Sequence, residues 1–221
     1  MHRFLRATFL TLGCVTWTPA MAATPNVHTL GASSALKTGD LSSHANLVDF
    51  RTLKNLYALG PVTRMGGEVT VFDSQPAVAL VRDGKVTVSP SWDYQPPFFV
   101  YSQVQRWQAI ALPEDVRETA DLQAFIEKIA AVHGVDLEQA FAFRVTAMAA
   151  QLGYHVFNMP PDAVIGAQPL ASYNTGWKTE RSAIELLGFY SRHHEGVFLG
   201  AVHSLHRPSS PSNQKLRPGV H

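Results

Sequence analysis

The sequence predicts an α+β fold built on mixed or antiparallel β-sheets with few helices. Short β-branched and aromatic runs, separated by turn residues, outnumber the helical patterns and do not alternate with helices as they would in a parallel α/β protein. The 221 residues are 46% hydrophobic and 16% charged, which suits one or two domains with a packed core and excludes a disordered chain. A net charge of +1 gives no basic face of the kind that nucleic-acid binding requires.

Residues 1–22 have the three-part pattern of a secretory signal peptide. Two arginines precede an apolar stretch from Ala7 to Trp17, and Ala20-Met21-Ala22 supplies the small residues of a cleavage site. The apolar stretch, at about 11 residues, is shorter than the roughly 20 that span a bilayer, so a membrane anchor is the weaker interpretation. Lipid attachment at Cys14 is a further alternative. We expect cleavage after Ala22 and a periplasmic or secreted protein.

Removal of this leader changes the chemistry that is open to the mature chain. It takes away Arg3 and Arg6 and leaves sixteen basic against seventeen acidic residues, a net charge of −1. It also removes Cys14, the one cysteine of the sequence. The mature chain then has no thiol, which excludes disulfides, a cysteine nucleophile and cysteine-ligated zinc. Any metal must be held by histidines and carboxylates.

Behind the leader, the sequence predicts an arm followed by a series of strands. Residues 23–47 are rich in Ser, Thr, Gly and Ala with little periodicity, which predicts a flexible arm. Asp83-Gly84 between two apolar runs predicts a β-hairpin. The predicted strands are Gly66–Asp73, Ala77–Val81, Lys85–Val88, Phe98–Val104, Phe141–Met148, Tyr154–Asn158 and Ser182–Ser191.

One amphipathic helix is predicted over Ala120–His133. Its apolar positions recur with the 3.6-residue period, so one face should pack on a sheet. Thr119 or Asp121 is the expected N-terminal cap, and Gly134 is the expected end of the helix. The positions of the apolar face are Leu122, Phe125, Ile126, Ile129 and His133.

Three groups of residues are candidates for chemistry. Five of the ten histidines lie in the last 29 residues, which is typical of a histidine-ligated metal site but also of ordinary surface histidines. Glu68 follows two glycines that would let a ligand or another chain segment approach closely, although a solvated edge carboxylate fits the same pattern. Arg144 stands in an apolar run and needs a partner, either a structural acid or a substrate carboxylate.

Several stretches, taken in order, resemble the α-acetolactate decarboxylase family. They extend from about residue 48 to residue 198, and the order is more specific than any single stretch. The resemblance implies a two-part fold, a zinc ion held by three histidines, and conversion of 2-acetolactate to acetoin and CO2. The matching stretches are Leu56–Gly60, Gly67–Asp73, Arg82–Val86, Asp121–Ile126, Phe141–Val145, Gly188–Ser191 and His194–Phe198.

The same resemblance implies roles for particular residues. Glu68 matches the family's acid near the metal and would carry a proton, and Arg144 matches the arginine that holds or orients the substrate. Zinc would act as a Lewis acid on the ketone and hydroxyl oxygens of the substrate. The candidate zinc ligands in this chain are His194, His203 and His206.

The C-terminus departs from the family pattern. Family members carry an H-x-H pair on a strand and, later in the chain, a carboxylate. Here Pro208 stands two residues after His206, where the second histidine of the pair would be, and no acid follows Glu195. Prolines interrupt a central strand, so the predicted domain ends at residue 198 and residues 199–221 form a divergent, poorly ordered tail. The expected zinc site is therefore incomplete.

Three functions follow as hypotheses. The first is an acetolactate decarboxylase, the second is a catalytically inactive relative that binds a small carboxylate or a protein partner, and the third is a hydrolytic metalloenzyme that uses the histidines. The expected ligand is a small 2-hydroxy-3-keto acid. We expect no nucleic-acid partner and, after leader cleavage, no membrane partner, and a homodimer is the assembly to test.

The leader prediction has a direct test. Because the small residues end at Ala22, the exported protein should begin at Ala23 when it is sequenced from the N-terminus. An exported protein that begins at Met1, or one that carries lipid on Cys14, would contradict this prediction.

Overall fold

Two antiparallel β-sheets and one α-helix make up the described part of the chain, which confirms the predicted α+β class. The computed structural model describes residues 6–17, 27–32, 39–164, 169–192 and 203–204. Within these residues no helix is long and apolar enough to cross a membrane. In chain order the elements are β1 (Arg6–Trp17), β2 (His28–Leu30), β3 (Leu56–Pro61), β4 (Glu68–Phe72), β5 (Gln75–Arg82), β6 (Lys85–Ser89), β7 (Phe99–Gln103), β8 (Gln108–Leu112), α1 (Thr119–Val132), β9 (Phe141–Phe157), β10 (Asn174–Tyr190) and β11 (His203–Ser204).

The six-stranded sheet has the order β2-β7-β3-β4-β5-β6. The predicted hairpin between β5 and β6 is confirmed, with Arg82 opposite Lys85 and positive φ angles at both Asp83 and Gly84. Positive φ at both central residues matches the right-handed twist of the strands, and Asp-Gly supplies it at low cost. Fully buried Val69, Val71 and Val78 line one face of this sheet. Glu68 and Thr70, which alternate with these valines on β4, are buried as well, so β4 is covered on both faces.

Parts of the segment predicted as a flexible arm, residues 23–47, pair with or pack on this sheet. Strand β2 pairs with β7, and the Leu47 side chain is fully buried. The backbone N–H groups of His44 and Ala45 both donate to the Pro96 carbonyl. Each of these contacts involves only a few residues. Such short stretches have no periodicity, so the sequence does not predict them.

The five-stranded sheet has the order β11-β10-β9-β1-β8 and is dominated by the hairpin of β9 and β10. The sequence predicts two separate strands at Phe141–Met148 and Tyr154–Asn158, but the structure has one strand of 17 residues. The correction has a physical reason, because β10 is equally long and its register with β9 is the same on both sides of an interruption at Arg181, which has a φ of 47°. Cross-strand hydrogen bonds thus carry β9 through a stretch that has little strand pattern of its own.

Helix α1 packs on one face of this sheet, as predicted. Leu122 and Ile126 are buried, and Phe125 and Ile129 are partly buried against the same cluster. The sheet contributes alternate residues of β9 to this cluster. These are Phe141, Phe143, Val145, Ala147 and Ala149.

The helix begins differently from the prediction. Its N-cap is Glu118 rather than Thr119, and the Glu118 backbone N–H donates to the Asp121 carboxylate at 3.0 Å in a capping box. Asp121 therefore serves the helix start from its first turn rather than as the cap itself. At the other end Gly134 follows the helix with a φ of 71°, the left-handed conformation that glycine adopts without steric cost.

The predicted leader contains a strand of the five-stranded sheet. Strand β1 lies between β9 and β8 and is antiparallel to both. Val15 is 1% exposed and belongs to the cluster under α1. Cleavage after Ala22 stays a prediction. In the uncleaved chain this segment is an interior strand of the sheet.

The core under α1 gives a stability prediction. Replacing Ile126 by alanine should lower the free energy of unfolding by about 2–4 kcal/mol, because it removes buried apolar volume and leaves a cavity against the sheet. The matched control is Lys128→Ala, an exposed position of the same helix, which should change stability by less than about 0.5 kcal/mol. Urea denaturation of both variants measures the difference, and equal losses would contradict the packing of this face.

Candidate functional site

Glu68 is buried in the middle of the six-stranded sheet. It is the first residue of β4, opposite Pro61 on β3 and Ala79 on β5, and it is 4% exposed. The Phe157 backbone N–H donates to Glu68 Oε1 at 3.4 Å. The alternative of a solvated edge carboxylate is therefore wrong, since the side chain faces the interior and is bonded to the end of β9.

The glycine pair before Glu68 serves the packing of the sheet. A Cβ atom on Gly67 would lie 2.5 Å from the Ala79 carbonyl oxygen, a distance that real side chains do not tolerate. Of the two uses predicted for these glycines, close approach of another chain segment is the one present, because the Ala79 carbonyl of the neighbouring strand β5 lies against Gly67. This close approach fixes the start of β4 and hence the position of Glu68.

Burial raises the pKa of Glu68 to about 8, and the hydrogen bond from Phe157 opposes that rise only in part. Removal of a carboxylate from water disfavours its charged form. The carboxyl group is thus mostly protonated at neutral pH. A carboxylic acid in this state can donate a proton near pH 7, as a general acid must.

Arg144 lies on β9 at the point where the two sheets meet. Its Nε donates to Thr16 Oγ1 at 2.9 Å, and its Nη1 lies 3.6 Å from Glu185 Oε1. The guanidinium carbon is 5.4 Å from the centre of the Trp107 ring, a cation–π contact. Arg144 therefore has the structural acid that was one of its two predicted partners. A substrate carboxylate as second partner stays a prediction.

Aromatic side chains enclose the Arg144 side of the junction. Trp107 meets Tyr57 edge to face, with ring centres 4.9 Å apart, and Tyr57 packs with Leu187 and Phe189 of β10. The Nε1 donor of Trp107 is buried and has no hydrogen-bond partner within the described residues. A buried donor without an acceptor is costly, so this position favours an incoming acceptor.

The three predicted zinc ligands are only partly described. His194 and His206 lie outside the described residues, and His203 is placed by its backbone in β11, opposite Leu187. Leu187 is in turn opposite Arg144, so the His203 backbone lies two strands from Arg144, about 10 Å at the usual strand spacing. Within the described part of the chain, no three histidine, cysteine or acidic side chains cluster as a metal site would require. The described residues do not form a zinc site.

Glu68 contacts the last residue of β9, whereas Arg144 belongs to the first part of the same strand. The bond to Glu68 comes from Phe157, whereas Arg144 lies near the start of β9, and at about 3.3 Å per residue up to roughly 43 Å of strand separates these positions. The contacts described above have no residue in common. Their convergence on one cavity stays a prediction.

The sequence does not identify the three residues that contact Arg144. Thr16 lies in the segment assigned to the leader, and Trp107 lies in a loop without periodicity. Glu185 carries a usable signal, because it interrupts an apolar run of β10 just as Arg144 interrupts one of β9. Opposite charges within two adjacent apolar strands favour a pair, and these two do pair.

These features define a class of protein, a two-sheet α+β protein with a buried acid in one sheet and a partly buried arginine at the junction. Its fold is similar to that of α-acetolactate decarboxylase from Bacillus subtilis strain 168, with a TM-score of 0.60 and 12% sequence identity over 81% of this chain and 74% of that chain. The enzyme from Bacillus subtilis subspecies spizizenii gives a TM-score of 0.61 at 13% identity, covering 81% of this chain and 74% of that one.

A third solved structure is similar in fold to this chain. It is a protein of unknown function from Staphylococcus aureus, described as similar to α-acetolactate decarboxylase, with a TM-score of 0.58 and 15% identity over 80% of this chain and 73% of that chain. No protein-family model and no curated protein sequence matches the chain. The comparisons thus confirm the predicted similarity of fold to α-acetolactate decarboxylase.

The raised pKa of Glu68 predicts a pH dependence of stability. The unfolded chain releases this proton near pH 4.5 and the folded chain near pH 8, so the folded state holds the extra proton between them. The free energy of unfolding should therefore fall by up to about 1.4 kcal/mol per pH unit between these values, relative to Glu68→Gln. Urea denaturation at pH 5, 6, 7 and 8 measures this difference. Parallel curves for the two proteins would contradict the burial of an ionisable group at this position.

Proposed function

We propose that the protein is an acetolactate decarboxylase-like enzyme that converts 2-acetolactate to acetoin and CO2. The observation that carries this proposal is the buried acid Glu68, protonated at neutral pH, on a fold shared with α-acetolactate decarboxylases. The partly buried Arg144 adds a fixed positive charge of the kind that a carboxylate substrate requires. The proposed ligand is a small 2-hydroxy-3-keto acid.

The chemistry assigns separate tasks to the two residues. Loss of CO2 breaks the bond between C2 and the carboxylate carbon and leaves the electron pair on C2, where the neighbouring ketone delocalises it. Glu68 would then deliver its proton to C2, which completes acetoin and leaves a carboxylate to be reprotonated by water. Arg144 would hold the departing carboxylate until the bond breaks, and this division of tasks requires the predicted convergence of Glu68 and Arg144 on one cavity. A protonated acid at pH 7 suits this sequence because the reaction consumes one proton.

Zinc belongs to the proposal through residues of the C-terminal segment. When bound by His194, His203 and His206, it would supply a Lewis acid for the substrate's ketone and hydroxyl oxygens. The steps given above use only Glu68 and Arg144. Metal analysis of the purified chain measures whether zinc is present.

A second candidate function is supported by the contacts of Arg144. Its guanidinium is already engaged by Thr16 and Glu185, as it would be in a relative that has lost catalysis and binds a small carboxylate or a protein partner. The two functions differ in one observable, the production of acetoin. For either function we propose a periplasmic or secreted chain, which cell fractionation tests, and a homodimer, which gel filtration tests.

Substitution at the two site residues tests the proposal. Glu68→Gln should lower kcat by roughly 100-fold or more because it removes the proton donor, and Arg144→Lys should raise KM because it loses the planar fork. Acetoin formation from 2-acetolactate, measured with and without added zinc, is the assay.

Two exposed residues serve as controls for this assay. Glu114→Gln and Arg82→Lys make the same chemical changes on the surface and should leave turnover unchanged. Turnover that survives both site substitutions would overturn the site assignment. Absence of turnover from the wild-type chain under every zinc condition would favour the inactive relative.

A further inference from the structure

We propose that β1 is an internal blocking segment, in which Thr16 occupies the edge of the Arg144 guanidinium that a carboxylate ligand would use. Loss of β1 exposes that edge. The inference rests on the proposed function, in which Arg144 binds the substrate carboxylate, and it adds a control over when that site is open.

The hydrogen-bond geometry of arginine decides whether a carboxylate can bind to Arg144. A guanidinium binds a carboxylate through two parallel N–H bonds, and it offers two such edges, one formed by Nε and Nη2 and one by Nη1 and Nη2. In this structure Nε donates to Thr16 at 2.9 Å, and Nη1 lies 3.6 Å from Glu185. The Nε position of the first edge is therefore taken, so a carboxylate can bind that edge bidentately only if it displaces Thr16. Glu185 lies beside the second edge and repels a carboxylate there.

One face of the Arg144 guanidinium is also covered. The Trp107 ring lies over the guanidinium, with 5.4 Å between the ring centre and the guanidinium carbon. Thr16, Glu185 and Trp107 thus surround the group on two edges and one face. Of the three, Thr16 is the one that belongs to the predicted leader.

The sheet holds Thr16 firmly in this position. Thr16 is directly opposite Arg144 on β9 and Ala109 on β8, so both neighbours fix its register. Its neighbour Val15 points the other way into the core under α1 and is 1% exposed. The contact with Arg144 is therefore part of the sheet rather than a surface encounter of two mobile side chains.

Removal of residues 1–22 would take away Thr16 and leave Glu185 on β10. It would also remove the strand that pairs with β8, the strand that follows Trp107. The edge formed by Nε and Nη2 would then be open to a carboxylate. The full chain would bind small carboxylates weakly, and the chain without β1 would bind them more tightly.

The test uses the full chain and a stable probe, 2-hydroxyisobutyrate. This compound has the carboxylate and hydroxyl groups of the proposed substrate class and lacks the ketone, so it cannot be decarboxylated in the same way. Thr16→Ala removes the hydroxyl acceptor and opens space beside Nε, whereas Thr16→Ser keeps the acceptor and is the matched control. Titration calorimetry should give about fivefold tighter binding for Thr16→Ala than for the wild type, and an unchanged Kd for Thr16→Ser.

Arg144→Lys separates failure of this inference from failure of the proposed function. It should weaken probe binding in both the wild-type and the Thr16→Ala backgrounds. If Arg144→Lys weakens binding but Thr16→Ala does not tighten it, the carboxylate site stands and the blocking role is overturned. If Arg144→Lys has no effect, or if no variant binds the probe, the carboxylate site itself fails and the blocking role fails with it.

A second measurement compares the full chain with exported protein that begins at Ala23. The exported form should bind 2-hydroxyisobutyrate at least as tightly as the Thr16→Ala variant. Equal affinity of the full chain and the exported form would overturn the proposal. Thermal unfolding of each protein confirms that the affinities compare folded molecules.

Discussion

Strand β9 is the constraint on which both sheets depend. It is hydrogen bonded along both edges, to β10 on one side and β1 on the other, and its alternate residues form the floor beneath α1. Its last residue, Phe157, donates to Glu68 in the opposite sheet. A single strand of 17 residues therefore sets the position of the helix, of Arg144 and of the bond to the buried acid. An altered register in β9 would move all three together.

Glu68 and Arg144 show two ways in which a fold accommodates an ionisable group that is shielded from water. Glu68 is buried and its pKa rises, so it becomes neutral at physiological pH. Arg144 cannot lose its proton, so the structure surrounds it with a hydroxyl, a carboxylate and an aromatic face. The neutral acid can give up a proton, whereas the fixed cation can only attract an anion. Their environments thus agree with the separate roles proposed above for the two residues.

Local pattern in the sequence predicts several elements correctly. The helix face, the Asp83-Gly84 hairpin and the antiparallel class each follow from periodicity or turn chemistry, and the ordered motifs indicate the correct fold. Predictions are wrong where contacts with distant partners decide the structure, as in the continuous β9, or where side-chain geometry decides it, as in the N-cap at Glu118. The burial of Glu68 could not be deduced, because it depends on strands that are distant in sequence, such as β9, whose Phe157 bonds to it, rather than on neighbours in sequence. Arg144 was recognised as needing a partner, but Thr16 is 128 positions away from it.

The place of β8 in its sheet has a consequence for any form of the protein that lacks β1. Within the described strands β8 pairs with β1 alone, so its backbone hydrogen bonds exist only while β1 is present. Without β1, the facing edges of β8 and β9 carry open N–H and C=O groups, and such edges recruit strands from other chains. A chain that keeps residues 6–17 has these edges covered by β1. A chain cut after Ala22, as the leader prediction has it, would have to satisfy these edges in another way before it meets a second copy.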